Sequence, residues 1–472
     1  MATVLDRIER ALERGAPAWG IEPVPPEHRR LSGLDLGVLW GSLALGFLVL
    51  VTGTLLVPAL GLPEALLAIL VGSAIGCAPL ALVAVAGQRE GVPGMVLFRP
   101  LLGVRGSYLP TALNVLQLVG WTAVEFWAMA TMANRMSLRL FGLDAYPLWL
   151  VLAAVVCTAL ALGGPVLVVR RWLERFGIYI ALAAAAWITV GALARADLGA
   201  LWRRPGEGGL PFWLAVDLVI AMPISWLPLV ADYSRFARRD ARAFAGTYWG
   251  YLLGNAWFYA LGALLVLSAG AEPSVAGIAV AVAGLTAGPL VLVALLAVET
   301  DEAFADIYSA AVSAQNVAPR ADQRRLVLLV AAVGLVLAGF LSMDAYEVFL
   351  FLIGSVFVPL FGVFAAHYFV LHRGRYGGEE IGAGPPSFRP AALLPWAVGF
   401  LLYHWSVPTG PPGWLAFLAG VFEGGLGLPV PLLGSALGAS IPSLLVAFVL
   451  GLAVLGPATR SRPGARAAGP PR

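Results

Sequence analysis

Glu299, Asp301, Glu302 and Asp306 stand close together in residues 290–317, LVLVALLAVETDEAFADIYSAAVSAQNV, a stretch long and apolar enough to cross a membrane. A carboxylate at bilayer depth is costly. Such groups face the protein interior or a wet cavity and mark an ion or substrate path. At 3.6 residues per turn, Ala297, Thr300 and Asp301 share one helix face as i, i+3, i+4, whereas Glu299, Glu302 and Asp306 share another as i, i+3, i+7. The spacing predicts a helix with an ion-facing side and a second acidic side. The bland alternative is a soluble loop-helix between two shorter spans.

A second constellation is Gln117-Leu118-Val119-Gly120-Trp121-Thr122-Ala123-Val124-Glu125. Trp121 and Glu125 are i, i+4 and hence neighbours. An indole face one turn from a buried carboxylate suits a planar, amino-bearing heterocycle: the ring stacks, and the carboxylate accepts from its N–H groups. The competing reading is packing for Trp121, the default among 15 tryptophans, with Glu125 paired to Arg135 or to a neighbouring helix.

The elements that position these residues must be membrane helices. Of 472 residues 60% are hydrophobic and 12% charged, with mean hydropathy +0.86; a soluble domain carries about twice that charge. Repeated long apolar runs predict an all-α membrane protein with 12 transmembrane helices. The spans fall near 36–60, 63–86, 108–136, 147–169, 176–194, 211–231, 244–269, 288–317, 326–342, 346–371, 391–407 and 431–456. The N-terminal 35 residues lack an apolar core, so no cleavable signal peptide is expected and the first span acts as its own anchor. Cys77 and Cys157 both fall inside predicted spans and make no disulfide or metal-site argument. The four histidines have no ligand spacing, and the basic residues are too dispersed for nucleic acid.

All 30 basic residues are arginine, and 25 of them lie in the two tails and the even-numbered connections. That asymmetry predicts a multi-pass protein of the cell (inner) membrane with both termini cytoplasmic, 1–35 and 457–472 being the tails. Residues 36–194 and 211–371 each hold five spans. Two units with an odd number of spans sit in opposite orientations, the arithmetic of an inverted repeat whose first helices are often broken. In the sixth span, Ala221–Pro228 carries two prolines that free backbone groups at mid-membrane. The first span has no proline before Pro58, but Gly41, Gly46 and Gly53 permit a break. Spans within 391–456 stand outside the repeat. The Gly/Pro-rich 408–431 reads as an extracellular loop with a short amphipathic piece.

Three motifs then acquire a meaning together: FRPLLGVRGSYLP (98–110) running into QLVGW (117–121), ADYSRF (231–236), and IYSAAVSAQN (307–316). In this order and spacing, over roughly residues 30–375, the chain resembles the nucleobase:cation symporter family one, which includes purine/cytosine permeases and hydantoin and hydroxymethylpyrimidine transporters. The resemblance implies a 5+5 inverted repeat of the leucine-transporter type plus two extra helices, working by alternating access. It implies that Trp121 stacks on the substrate and that Glu125 stands where a relative has an amide. Ser225, Glu302 and Asp306 fall at further polar substrate contacts. Thr300 and Asp301, with carbonyls near Ala297 and Gly46, fall at a sodium site. Two departures stand out. Asp301 replaces a hydroxyl, so the site holds sodium with a formal ligand charge or takes up a proton. Pro223, with Trp226 nearby, falls where relatives place an aromatic.

The expected function is a secondary active symporter importing a nucleobase-like heterocycle of cytosine/purine or hydroxymethylpyrimidine type, with Na+ or H+ as coupling ion and no other cofactor. Its substrate residues would be Gln117, Trp121, Glu125, Ser225, Trp226, Glu302 and Asp306. Its ion residues would be Gly46, Ala297, Thr300 and Asp301. The alternative on the same fold is an amino-acid or other small-molecule cation symporter. A membrane-embedded enzyme lacks a nucleophile or metal set, and a cation channel would want carboxylate rings from symmetric subunits. The expected partners are the heterocycle and the bilayer; no nucleic acid and no obligate protein partner is indicated.

Overall fold

The computed structural model describes residues 20–163, 176–341, 343–381 and 386–460. The arginines expected at 170–175, the end of the fourth predicted span and most of both expected tails lie outside the described residues. The first part contains α1 (Gly33–Leu43), α2 (Phe47–Gly53), α3 (Leu62–Glu90), α4 (Tyr108–Phe141), α5 (Tyr146–Gly163) and α6 (Ile178–Leu193). Then follow α7 (Phe212–Trp226), α8 (Val230–Ser234), α9 (Asp240–Ala269), α10 (Val275–Ala283), α11 (Gly288–Val317), α12 (Gln323–Ala338), α13 (Met343–Ala365), α14 (Leu393–Ser406) and α15 (Ser440–Arg460). Among the described residues the strand-like pairing is one isolated bridge, Leu31 with Ala237. Six helices there are long and apolar enough to cross a membrane, and the bent pair α1–α2 makes a seventh.

The first span is broken, with a bend of 57° between its halves. The break falls at Ala44–Gly46, so Gly46 becomes the residue that starts α2. The sixth span differs from the sequence expectation. Pro223 lies inside α7, and the chain leaves the helix only at Leu227, ahead of Pro228, which has no N–H to extend the ladder. α10 is an added helix in the connection before α11. The last span begins at Ser440, after a short 3-10 turn at Leu432–Ser435.

Close helix approach depends on glycine at two contacts. α1 lies along α9, where a Cβ on Gly250 would meet the Gly37 carbonyl oxygen at 2.6 Å. α7 lies along α3, where a Cβ on Gly76 would meet the Pro223 ring at 2.5 Å. The long helix α11 packs against α4 on one side and against α5 and α12 on others, which places its acidic stretch in the middle of the bundle.

A buried carboxylate cluster at the helix break

α11 is 30 residues long, starts at Gly288-Pro289 and has no further glycine or proline, so it stays helical through all four acids. Glu299, Asp301, Glu302 and Asp306 are each no more than 2% exposed. A soluble loop-helix is therefore excluded, and each acid needs a partner within the bundle.

Glu125 of α4 is brought against the acidic side of α11. One carboxylate oxygen each from Glu125, Glu299 and Glu302 lies within 4.8 Å of the other two. The helix break supplies part of the environment. The first N–H groups of a helix have no partner within it, and here Phe47 N–H donates to Glu299 Oε2 at 2.7 Å. Gly46 must remain glycine at this point, because a Cβ there would fall on Glu302 Oε1. Sequence reading placed Gly46 with the ion set; in space it touches Glu302. Helical spacing puts Glu299 on the second acidic side of α11 with Glu302 and Asp306, but its meeting with Glu125 across two helices has no sequence signal.

On the other side of α11, Ser42 Oγ of α1 donates to Asp301 Oδ2 at 3.3 Å. Thr300 Oγ1 donates to the Ala297 carbonyl at 2.7 Å, and both residues are half-buried. The hydroxyl keeps lone pairs for a cation while its proton is spent on its own helix. Asp301 thus reaches the first half of the broken span, and the three glutamates gather at the second.

Aromatic rings flank the carboxylates. Trp121 packs edgewise on Tyr346 and Phe349 of α13, with centroids 6.0 and 5.3 Å away, and its buried indole N–H has no partner. Tyr346 OH pairs with Thr52 Oγ1 of α2 at 2.8 Å. Beyond Tyr346 and Phe349 a cavity of about 410 Å³ runs to the Gly410-Pro411 loop. Trp226 packs edgewise on Trp40 of α1, centroids 6.0 Å apart, and both indole N–H groups lack partners. The Ser225 hydroxyl donates to the Met222 carbonyl at 2.7 Å, and its own carbonyl accepts from Gln117 Nε2 at 3.0 Å. Gln117 also donates to Asn114 Oδ1 at 2.8 Å and keeps Oε1 unpartnered. Asp306 is buried one turn past Glu302.

The three motifs hold one another. Arg99 Nε donates to Asn316 Oδ1 at 2.8 Å, and Asn316 Nδ2 donates to Ser107 Oγ at 2.9 Å and Thr111 Oγ1 at 2.8 Å. Asn114 Nδ2 donates to Ser313 Oγ at 2.9 Å, extending this polar seam between α4 and α11. Asp232 Oδ1 accepts from Gly94 N–H at 2.9 Å. Arg235, fully buried, donates to Gly20 O, Asp232 O and Tyr308 Oη at 2.5, 3.1 and 3.3 Å.

Comparison with known proteins places this arrangement. Residues 23–426 match the family described as permease for cytosine/purines, uracil, thiamine, allantoin. The hydantoin permease of Microbacterium maritypicum is 24% identical over 378 residues, covering 76% of this chain and 77% of that one. A putative purine-cytosine permease of Bacillus subtilis (strain 168) is 29% identical over 268 residues, covering 52% and 54%. Among solved structures, Mhp1, a nucleobase-cation-symport-1 family transporter in a closed conformation with bromovinylhydantoin bound, superposes with a TM-score of 0.76 at 20% identity, over 95% of this chain and 97% of that one. A Na+-coupled sialic acid symporter follows with a TM-score of 0.58 at 14% identity, over 88% and 90%. These likenesses show the fold.

Proposed function

We propose, from the premise that this chain belongs to the permease family for cytosine/purines, uracil, thiamine and allantoin, that it is a secondary active symporter importing a nucleobase-like heterocycle with Na+ or H+. The chain is a transporter and not an enzyme. The observation that carries the proposal is the buried set of Glu125, Glu299 and Glu302 closing on the broken first span beside Trp121. Discontinuous helices at bilayer depth are where transporters of this architecture place cargo and ion.

The heterocycle stacks on Trp121 and offers N–H groups to Glu125 and to the acidic side of α11 formed by Glu302 and Asp306. Gln117, Ser225 and Trp226 complete the wall at the α7–α8 break, Ser225 through its carbonyl. Carboxylates in place of amides favour rings that bring donors or positive charge, such as aminopyrimidines, over neutral diones. The coupling ion sits at Thr300 and Asp301 with carbonyls near Ala297 and Gly46. Coupling follows when the ion favours the conformation that completes the cargo site.

The topology proposed is twelve spans, with 36–194 and 211–371 as inverted five-helix units, 391–456 outside them, and both termini cytoplasmic in the cell membrane. The packing of α1 on α9 and of α7 on α3 supports it, since in each case the first helix of one unit lies on the second helix of the other. Counterflow of labelled cytosine, hypoxanthine, hydantoin and hydroxymethylpyrimidine in proteoliposomes, with and without a sodium gradient, tests the function. Exchange of one of them that responds to the gradient or to pH is the expected result; exchange of none would remove the reading.

A further inference from the structure

Glu299 belongs to the buried set of three glutamates, yet the transport reading gives it no contact with the heterocycle. Its Oε2 accepts from Phe47 N–H at 2.7 Å, and its Oε1 has no partner. Glu125 Oε2 and Glu302 Oε1 have none either, although the three residues are 0% to 2% exposed. Glu302 Oε1 is pressed against Gly46, so the unpartnered oxygen lies at the helix break and not in solvent.

Three carboxylates drawn out of water and set this close cannot all stay charged by themselves; protons shared among them or a cation between them must supply the balance, and a cation leaves all three free to act as ligands. The spacing is compatible with one shared cation. A hard cation holds carboxylate oxygens at about 2.3–2.6 Å, so oxygens of one coordination shell lie within about 5 Å of each other; here they lie within 4.8 Å. The ligands are all carboxylate oxygens, with no sulfur or imidazole, a set that selects hard, oxygen-seeking ions.

We propose that Glu125, Glu299 and Glu302 form a metal-cation site of their own, separate from Thr300 and Asp301, for a hard ion of the sodium, calcium or manganese kind. Glu125 reaches it from the helix that carries Trp121, so the ion lies beside the heterocycle and is held by both halves of the bundle. The proposal rests on the transport reading only for that neighbourhood.

The full-length protein in lipid nanodiscs tests it by scintillation proximity with 22Na+, 45Ca2+ and 54Mn2+ in turn, with no heterocycle present. At least one of these ions should bind saturably. Glu299→Gln and Glu302→Gln should each weaken that binding tenfold or more, while Asp301→Asn should leave a saturable component. Glu125→Gln, which touches neither Phe47 nor Gly46, gives the same comparison if a α11 variant elutes as aggregate. Saturable binding of none of the three ions would overturn the proposal. So would equal binding by wild type and all three glutamine variants, or its complete loss in Asp301→Asn alone. Because heterocycle is absent, a negative result leaves the transport reading standing, and failed counterflow leaves the ion result standing.

Discussion

Phe47 N–H donates to Glu299 Oε2 at 2.7 Å across 252 positions of sequence. In an unbroken helix that N–H would bind the carbonyl four residues back; the break at Ala44–Gly46 releases it to an acid on α11. The discontinuity in one helix and the charge in another are thus two halves of one feature. Glu299→Gln keeps an acceptor for Phe47 and removes one of three crowded anions. In cation-free buffer this variant should be more stable than wild type, because one of three mutually repelling groups no longer carries a charge, while transporting less. Thermal unfolding beside uptake measures both; a variant that is both less stable and fully active would mean that the acid serves structure alone.

Gly46→Ala places a methyl group on Glu302 Oε1. Relief requires either the carboxylate or the start of α2 to move, and overpacking of this kind costs about 1–3 kcal/mol. Uptake should fall by at least about tenfold with the protein still monodisperse. Wild-type kinetics would show that the close approach of the break to the acid is dispensable.

Trp121→Ala should weaken heterocycle binding by at least about tenfold, in line with about 1–3 kcal/mol for a ring stacked on an aromatic side chain. Trp121 also packs on Tyr346 and Phe349, so a structural loss must be separated from a binding loss. Trp121→Phe fills most of the volume and keeps a π face. It should recover affinity partly, as read by calorimetry on purified protein, whereas equal affinity in all three proteins would remove stacking.

The helical, membrane-crossing character of the chain was legible from apolar run length, and the acids of α11 stood out because hydrocarbon makes them conspicuous. The break in the first span was only permitted by its glycines, since glycine allows a bend without requiring one. In the sixth span the stretch Ala221–Pro228 does contain the end of a helix, but only one of its prolines marks it. Pro223 stays inside α7, as a helix tolerates a proline when neighbouring groups satisfy the carbonyl it frees, and the chain leaves the helix at Leu227, before Pro228. Helical periodicity sorted Glu299, Glu302 and Asp306 onto one side of α11, yet only tertiary packing decides that Glu125 meets Glu299. The same limit applies to Ser225, for which the resemblance implies a polar contact without saying through which atom. Its hydroxyl is used by its own helix, and its carbonyl faces Gln117.

Glu125→Gln converts an acceptor-only group into one that both donates and accepts. Preference should move from amino-bearing rings toward carbonyl-rich ones such as hydantoin and uracil. A competition panel against one labelled substrate, run on wild type and variant together, reads the change as a reversal of rank order. An unchanged rank order would assign Glu125 to the protein's own packing and ion balance.

Asp301→Asn separates the two sides of α11. Asp301 faces Ser42 on the first half of the broken span, away from the three-glutamate cluster, so its charge should govern the ion rather than the ring. Neutralising it removes a formal ligand charge and a proton acceptor but leaves an oxygen in place. If sodium is the coupling ion, the concentration for half-maximal uptake should rise by at least about tenfold, the loss of one charge-assisted contact being worth about 1.5–3 kcal/mol. If the proton is the coupling ion, the pH dependence of uptake should flatten instead. In either case the order in which heterocycles compete should stay as in wild type. A variant that keeps its ion dependence and changes its heterocycle would reverse the assignment of the two helix faces.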